Sequence, residues 1–132
     1  MAEQFANSWL IRNDLTHQFK VISRALTDKY EPPNSPASSH GVEILAKEFS
    51  LDLSSHRSSM LTLQEVNDAK IIIGVTELHV EMILRMFPSS EGKLHSFDSD
   101  VSDPWHAPLE EYRACANEMM PLVYQKLNEL LL

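Results

Sequence analysis

Residues 70–87 read KIIIGVTELHVEMILRMF and contain the clearest strand pattern of the chain, followed directly by a helix pattern. Its residues 71–75 form a continuous apolar run rich in β-branched side chains, which is typical of a strand covered on both faces in a parallel sheet. Thr76 is placed to cap the helix that follows, whose apolar side chains recur at i, i+3, i+4 and i+7: Val80, Ile83, Leu84 and Phe87. A strand that leads directly into an amphipathic helix predicts one unit of an α/β domain.

Helices and strands also alternate on both sides of this unit. Upstream, apolar periodicity predicts a helix from Ala2 to about Leu15 and a short strand over Phe19–Ser23. Capping signals and apolar patterns predict the other elements: a helix with Ser35 as N-cap and Pro36 at its first position, a helix over Leu63–Asp68 with a Thr62/Glu65 capping box, a strand within KLHSF (93–97), and a terminal helix over 109–130 that contains Pro121. The alternation predicts one α/β domain over residues 1–132, with a mostly parallel sheet.

The composition restricts the classes of function. Three isolated glycines and one cysteine in 132 residues exclude a glycine-rich phosphate loop, a disulfide framework and a cysteine-based zinc site within this sequence. A formal net charge of −8 argues against a nucleic-acid or anionic-membrane partner, because both would repel the chain. The sequence has no apolar run long enough to cross a bilayer and no signal-peptide core, so we expect a cytoplasmic protein.

The acidic loop DSDVSDPWHAP at residues 98–108 holds three carboxylates close together. Their spacing does not fit a calcium loop: counted from Asp98, Asp103 falls where the obligatory glycine belongs and Leu109 where a bidentate glutamate belongs. The six histidines contain no HxxxH pair. We therefore expect no metal and no cofactor, and most of this loop is interpreted as a solvated acidic surface.

Two residues remain as candidates for chemistry. Asp103 stands before Pro104 and Trp105; an Asp-Pro pair commonly starts a turn, and a carboxyl beside an aromatic wall also suits general-acid catalysis. Cys115 lies in the terminal helix, away from any helix N-terminus or neighbouring cation that would lower the pKa of its thiol. The local sequence favours a turn role for Asp103 and a buried, unreactive Cys115.

Several segments follow one another in a specific order along the chain. They are MAEQF at the start of the first helix, SSHGVEILAKEF after a Pro-rich loop, LDLSSHRSSMLT, KIIIGVTELHVEMI, and VSDPW before the terminal helix. In this order they resemble the low-molecular-weight protein-tyrosine-phosphatase family, over essentially the whole chain. The resemblance implies that family's three-layer α/β fold. It also implies that the family's first strand, central in the sheet between Phe19–Ser23 and Ile71–Val75, is missing here.

The resemblance has consequences for the catalytic residues. In the family the first strand leads into a CxxxxxRS loop, whose cysteine attacks phosphorus while backbone N–H groups and the arginine hold the phosphoryl oxygens. This sequence starts at MAE, so the resemblance implies that the loop is absent from it, and Cys115 matches no position of the motif. It further implies that Asp103 is the general acid, which protonates the leaving group and later activates water, and that Trp105 and Tyr30 line the substrate pocket.

Three explanations of this pattern stay open. The first is a phosphatase of the family whose given start falls at an internal methionine, so that the nucleophilic cysteine and phosphate-binding arginine precede Met1 and the chain as given is inactive. The second is a non-catalytic relative that binds phosphorylated partners, and the third is an unrelated α/β interaction domain. Within the family, the single cysteine disfavours an arsenate reductase, and a protein-arginine phosphatase is a further alternative. The expected partners are phosphorylated proteins or small phosphomonoesters.

Overall fold

The computed structural model describes residues 1–29 and 31–132, and this part of the chain folds into helices around a small parallel sheet. Its elements in chain order are α1 (Ala2–Arg12), α2 (Ser39–Phe49), α3 (Leu63–Asp68), β1 (Ile72–Gly74), α4 (Glu77–Met86), β2 (Leu94–Ser96) and α5 (Leu109–Leu131), with a 3₁₀ turn at Pro88–Ser90. β1 and β2 are hydrogen-bonded in parallel, with Ile72 opposite Leu94 and Gly74 opposite Ser96, and the crossover between them contains α4. The predicted α/β class with a parallel sheet is confirmed.

Two helix starts follow the predicted capping signals. The Thr62 hydroxyl accepts a hydrogen bond from the Glu65 N–H at 3.2 Å, and the Glu65 carboxylate accepts one from the Thr62 N–H at 3.1 Å, which completes a capping box. The Thr76 hydroxyl likewise accepts from the His79 N–H at 3.2 Å at the start of α4. Both caps satisfy backbone donors that lack a partner in the first helical turn, and both predictions are confirmed.

The start of α2 was predicted wrongly. The helix begins at Ser39 with Ser38 as N-cap, whereas the sequence predicted Ser35 as N-cap and Pro36 as the first helical residue. The backbone of 35–36 is instead paired with a distant segment: Pro36 forms an antiparallel bridge with Arg57. An extended residue in a bridge cannot also take helical dihedral angles, so the helix starts three residues later than its local signals suggest.

The predicted strand Phe19–Ser23 is not a strand in the described part of the chain. No ladder hydrogen bond joins it to the described residues of β1. Its side chains nevertheless alternate between half-buried and exposed, as in an extended segment with one face on the core, and Ile22 is 43% exposed. The Lys70 ammonium lies 5.4 Å from the centre of the Phe19 ring, which places this segment beside the start of β1. An extended segment without a bonded neighbour cannot form a ladder. That a strand of the family is missing between these two segments stays a prediction.

The core lies between α1, α2 and α5. Its largest side chains include Phe5 and Trp9 of α1 and Leu45 of α2, all at most 2% exposed. The Trp9 indole N–H also donates to the Asn128 side-chain oxygen at 2.9 Å, which fixes α1 against the last turns of α5. Ile71–Ile73 are only half-buried, so β1 is less covered than the sequence predicted. The loop after β2 contacts α5 through Asp98 and Ser102.

Candidate functional site

A cavity of about 400 Å³ opens where three loops meet. Residues of the segments 25–33 and 58–60 line two sides, and Asp103 and Trp105 line a third. The loop with Asp103 leaves the carboxyl end of β2 and leads into α5. In open α/β sheets, ligands bind in crevices beyond the carboxyl ends of the strands. The position of this cavity makes it the candidate functional site.

Backbone hydrogen bonds fix the first two loops against each other. The Ala25 N–H donates to the Ser59 carbonyl at 2.8 Å, and the Leu61 N–H donates to the Ala25 carbonyl at 3.0 Å. Further along, the Asn34 N–H donates to the Ser58 carbonyl at 2.7 Å. These bonds bring Ser58 and Ser59 to the cavity wall although they lie far from 25–33 in sequence.

Asp103 forms the turn that its local sequence favours and lines the cavity. Its carboxylate accepts a hydrogen bond from the Trp105 N–H at 3.0 Å, two residues further on, as in an Asx turn. The turn continues with a 2.8 Å bond from the Ala107 N–H to the Pro104 carbonyl and a positive φ of 61° at His106. Asp103 is exposed and lines the cavity. The turn therefore holds a carboxylate at the cavity without removing it from solvent.

Trp105 connects the Asp103 loop to the opposite wall of the cavity. Its indole N–H donates to the Glu31 carboxylate at 3.2 Å, and its ring centre lies 3.9 Å from that of His106. Trp105 is 39% exposed and lines the cavity. The structure thus brings Asp103 and Trp105 to one cavity, whereas the predicted substrate residue Tyr30 lies outside the described residues.

The cavity wall is acidic. Asp28, Glu31 and Asp103 each bring a carboxylate to it, and the described lining residues include no lysine, arginine or histidine. Carboxylates at close range attract cationic groups and repel anions. A ligand with positive charge beside its reacting group would therefore fit this wall better than one with negative charge only.

Cys115 lies behind the Asp103 loop and does not line the cavity. It is 5% exposed, and its sulfur lies 3.6 Å from the Ser102 carbonyl, to which the thiol can donate. Burial raises the pKa of the Cys115 thiol, and the nearby Glu118 and Asp103 carboxylates raise it further. A protonated, buried thiol is a poor nucleophile, in agreement with the expected unreactive cysteine.

Two further properties concern the described residues as a whole. They contain no group of three or more His, Cys, Asp or Glu side chains arranged to hold a metal ion. None of their helices is both long and apolar enough to cross a membrane.

Local sequence reasoning missed the acidic residues on the far side of the cavity. Asp28 and Glu31 lie in the Pro-rich segment TDKYEPP, which offers no motif of its own. The contact between Trp105 and Glu31 joins residues 74 positions apart. It forms because the bridge between Ala25 and Met60 places the segment 25–33 opposite the Asp103 loop. In the sequence, the one signal for these wall residues is the presence of acidic side chains in a proline-rich loop.

Comparison with known proteins identifies relatives over the whole chain. The family described as low molecular weight phosphotyrosine protein phosphatase matches residues 1–131. A protein-arginine-phosphatase from Geobacillus stearothermophilus is 32% identical over 96 residues, which are 67% of this chain and 64% of that protein. The match therefore spans less than two thirds of that relative's length.

Solved structures show the same fold. A low molecular weight protein tyrosine phosphatase from T. tengcongensis has a TM-score of 0.86 and 28% identity, over 98% of this chain and 88% of that chain. The YwlE arginine phosphatase from Geobacillus stearothermophilus has a TM-score of 0.79 and 27% identity, over 98% of this chain and 84% of that chain. The hypothesis of an unrelated α/β interaction domain is therefore wrong. The chain belongs to the low molecular weight phosphotyrosine protein phosphatase family.

Proposed function

We propose that this chain forms the acid–base and substrate-facing side of a phosphomonoesterase site, with Asp103 as the general acid and then the general base. The position of Asp103 and Trp105 on one cavity beyond the sheet supports this most directly. A carboxylic acid there protonates the leaving atom as its bond to phosphorus breaks, and the resulting carboxylate then takes a proton from the attacking water. Trp105 serves as a wall for the leaving group, and Tyr30 keeps the substrate-binding role implied by the family resemblance. A cytoplasmic location stays a prediction.

We further propose that the 132 residues alone do not turn over substrate. The chain's one cysteine is buried behind the Asp103 loop with a raised pKa, so it is poorly suited to attack phosphorus. The sequence contains no CxxxxxRS motif. Phosphorylated proteins or small phosphomonoesters are the proposed substrates of a chain in which such a loop precedes Met1.

Asp103 is tested by the dependence of the rate on the leaving group. The test uses the chain preceded by a strand and CxxxxxRS loop of the family, with phenyl phosphate and nitrophenyl phosphate as substrates. For phenol, with a pKa of about 10, Asp103→Asn should lower kcat/KM, which reports the step that expels the leaving group, by about 10²-fold or more. For the more acidic nitrophenol the loss of kcat/KM should be much smaller, because that leaving group departs without a proton.

Asp100→Asn is the matched control for this test. It makes the same change of charge in the same loop, and its remaining side-chain oxygen can still accept the Glu77 N–H, which Asp100 accepts at 3.0 Å. We expect Asp100→Asn to retain the parent rate on both substrates. An equal loss of kcat/KM on both substrates for Asp103→Asn, or no loss, would remove Asp103 from the acid role.

The acidic wall favours phosphoarginine as a second candidate substrate. Its guanidinium group would face the carboxylates of Asp28 and Glu31, and a relative at 32% identity is a protein-arginine-phosphatase. In the loop-bearing chain, the ratio of kcat/KM for phosphoarginine to that for phosphotyrosine peptides measures this preference. Asp28→Asn should lower the ratio; a ratio below one in the parent that does not change in the variant would contradict the arginine assignment.

The acidic wall also disfavours a module that binds phosphorylated partners without catalysis. A phosphate group brings about two negative charges to a wall whose described residues carry three carboxylates and no cation. Titration of the 132-residue chain with phosphotyrosine and phosphoarginine peptides should therefore give no saturable binding. Saturable binding that requires the phosphate would support the non-catalytic module instead.

A further inference from the structure

We infer that Lys126 of α5 is a positioning residue for Asp103, because the ammonium group of this largely buried side chain pairs with Asp98 and fixes the start of the loop that carries the carboxyl. The inference rests on the proposed role of Asp103. Lys126 makes no contact with the cavity, so any effect on the reaction acts through the position of the loop.

Lys126 is unusual for a lysine because it is only 7% exposed. Its ammonium nitrogen lies 3.1 Å from an Asp98 carboxylate oxygen and 3.0 Å from a Glu129 carboxylate oxygen. The hydrogen bonds to Glu129 and Asp98 raise the pKa of Lys126 and keep it charged. A buried ammonium without a partner is costly. The lysine therefore holds Asp98 at a defined place beside α5.

A second contact ties the same loop to α5 nearer the helix N-terminus. There the Cys115 thiol faces the Ser102 carbonyl at 3.6 Å, one residue before Asp103. Between the two contacts, Val101 is 4% exposed and packs in the core. The loop thus runs antiparallel to α5, from Lys126 at its start to Cys115 at the residue that precedes the proposed acid.

Three contacts fix the loop between β2 and Asp103. Asp98 pairs with Lys126, Val101 is buried in the core, and the Ser102 carbonyl faces the Cys115 thiol. The backbone bends at 98–99, so the pair with Lys126 lies at the turn by which the chain leaves β2. Loss of this pair should therefore loosen the loop that leads to Asp103.

The two tryptophans provide a spectroscopic test in the 132-residue chain. Trp105 lies on the loop, and the Trp9 indole binds Asn128 on α5, close to Lys126. In ¹H–¹⁵N spectra, Lys126→Met and Asp98→Asn should shift or broaden the Trp105 indole and amide signals and leave the Trp9 indole signal unchanged. Lys126→Arg should keep the parent spectrum, because its guanidinium can still pair with Asp98.

Glu129→Gln is the control, because it removes the other partner of Lys126 and leaves the pair with Asp98. It should move neither tryptophan signal. If Lys126→Met does not fold, the test uses Asp98→Asn alone. We expect Asp98→Asn to fold, because the Asp98 side chain is 48% exposed and Lys126 keeps Glu129 as a partner. Unchanged Trp105 signals in Asp98→Asn, or equal shifts of Trp9 and Trp105, would overturn the inference.

Kinetics separate this inference from the proposed function. In the chain with a CxxxxxRS loop, Asp98→Asn should lower kcat for phenyl phosphate several-fold with little change in KM, because substrate contacts stay in place. A shifted Trp105 signal with an unchanged kcat would show that the Lys126–Asp98 pair fixes the loop, and it would count against Asp103 as the acid. An unchanged Trp105 signal would overturn the positioning role of Lys126, whatever the activity.

Discussion

Replacing Gly74 with alanine tests the fit between β1 and α4. A Cβ built on Gly74 would lie 2.8 Å from the Val80 Cγ2, 3.0 Å from the Val80 nitrogen and 3.2 Å from the Thr76 carbonyl oxygen. The Val80 side chain is stiff at χ1, and its N–H donates to the Thr76 carbonyl at 3.2 Å. The added methyl group therefore meets atoms that cannot move independently.

The expected loss of stability combines two opposing effects. Overpacking of a buried contact costs about 1 to 3 kcal/mol. Alanine also restricts the unfolded chain, which offsets about 0.4 to 1 kcal/mol of that cost. We expect Gly74→Ala to lower the free energy of unfolding by about 1 to 2 kcal/mol, which lowers Tm by about 3 to 6 °C per kcal/mol for a domain of this size.

Urea and thermal unfolding followed by circular dichroism measure this loss. Gly41→Ala is the matched control: its Cβ would meet Leu53 at 3.4 Å and Tyr112 at 3.7 Å, which are ordinary contacts. Since Gly41 lies within α2, alanine there should be neutral or stabilising by up to about 1 kcal/mol. The cost of Gly74→Ala should also shrink in a Val80→Ala background. Gly74→Ala as stable as the parent, or equally costly in both backgrounds, would refute the steric reasoning.

Three further predictions concern the helix cap, an ion pair and the cysteine. Thr62→Ala should cost about 1 kcal/mol in urea unfolding, whereas Thr62→Ser should recover most of it, because serine also caps; equal losses would contradict the capping role. The Arg24 hydrogen bond holds the pKa of Glu65 below its usual 4.5, so its stabilisation is complete above about pH 4.5 and lost as the pH falls through the lower folded pKa. Glu65→Gln should accordingly make unfolding less dependent on pH below about 4.5, and an unchanged dependence would contradict this. Cys115 should react with iodoacetamide at least about 10²-fold more slowly in the folded chain than in urea, as mass spectrometry can follow, and equal rates would contradict its burial.

The fold could be predicted where the deciding interactions are local. The capping box at Thr62 and the strand–helix unit of β1 and α4 depend on residues a few positions apart, and the structure places both as predicted. The segment Phe19–Ser23 has the apolar alternation of a strand, but a strand also needs a bonded neighbour, and the described residues provide none there. Ser35 failed as an N-cap for the related reason that Pro36 pairs with a segment further along the chain.

In the candidate site too, the residues that could be predicted are those whose signals are local in sequence. Asp103 and Trp105 stand in one short segment, DPW, which the family resemblance singled out. Glu31 contacts Trp105 across 74 positions of sequence, and Lys126 contacts Asp98 across 28 positions. No local sequence pattern predicts contacts at such distances. A buried lysine is especially hard to recognise in sequence, because Lys126 resembles any polar residue on the exposed side of an amphipathic helix.

We propose that this chain supplies the acid of a phosphatase site and not its nucleophile. The decisive measurement is phosphate release from phenyl phosphate by the 132-residue chain, by its Cys115→Ala variant, and by the chain with a CxxxxxRS loop before Met1. We expect no release above the uncatalysed rate from the first two and turnover by the third. Turnover by the 132-residue chain that Cys115→Ala abolishes would contradict this assignment.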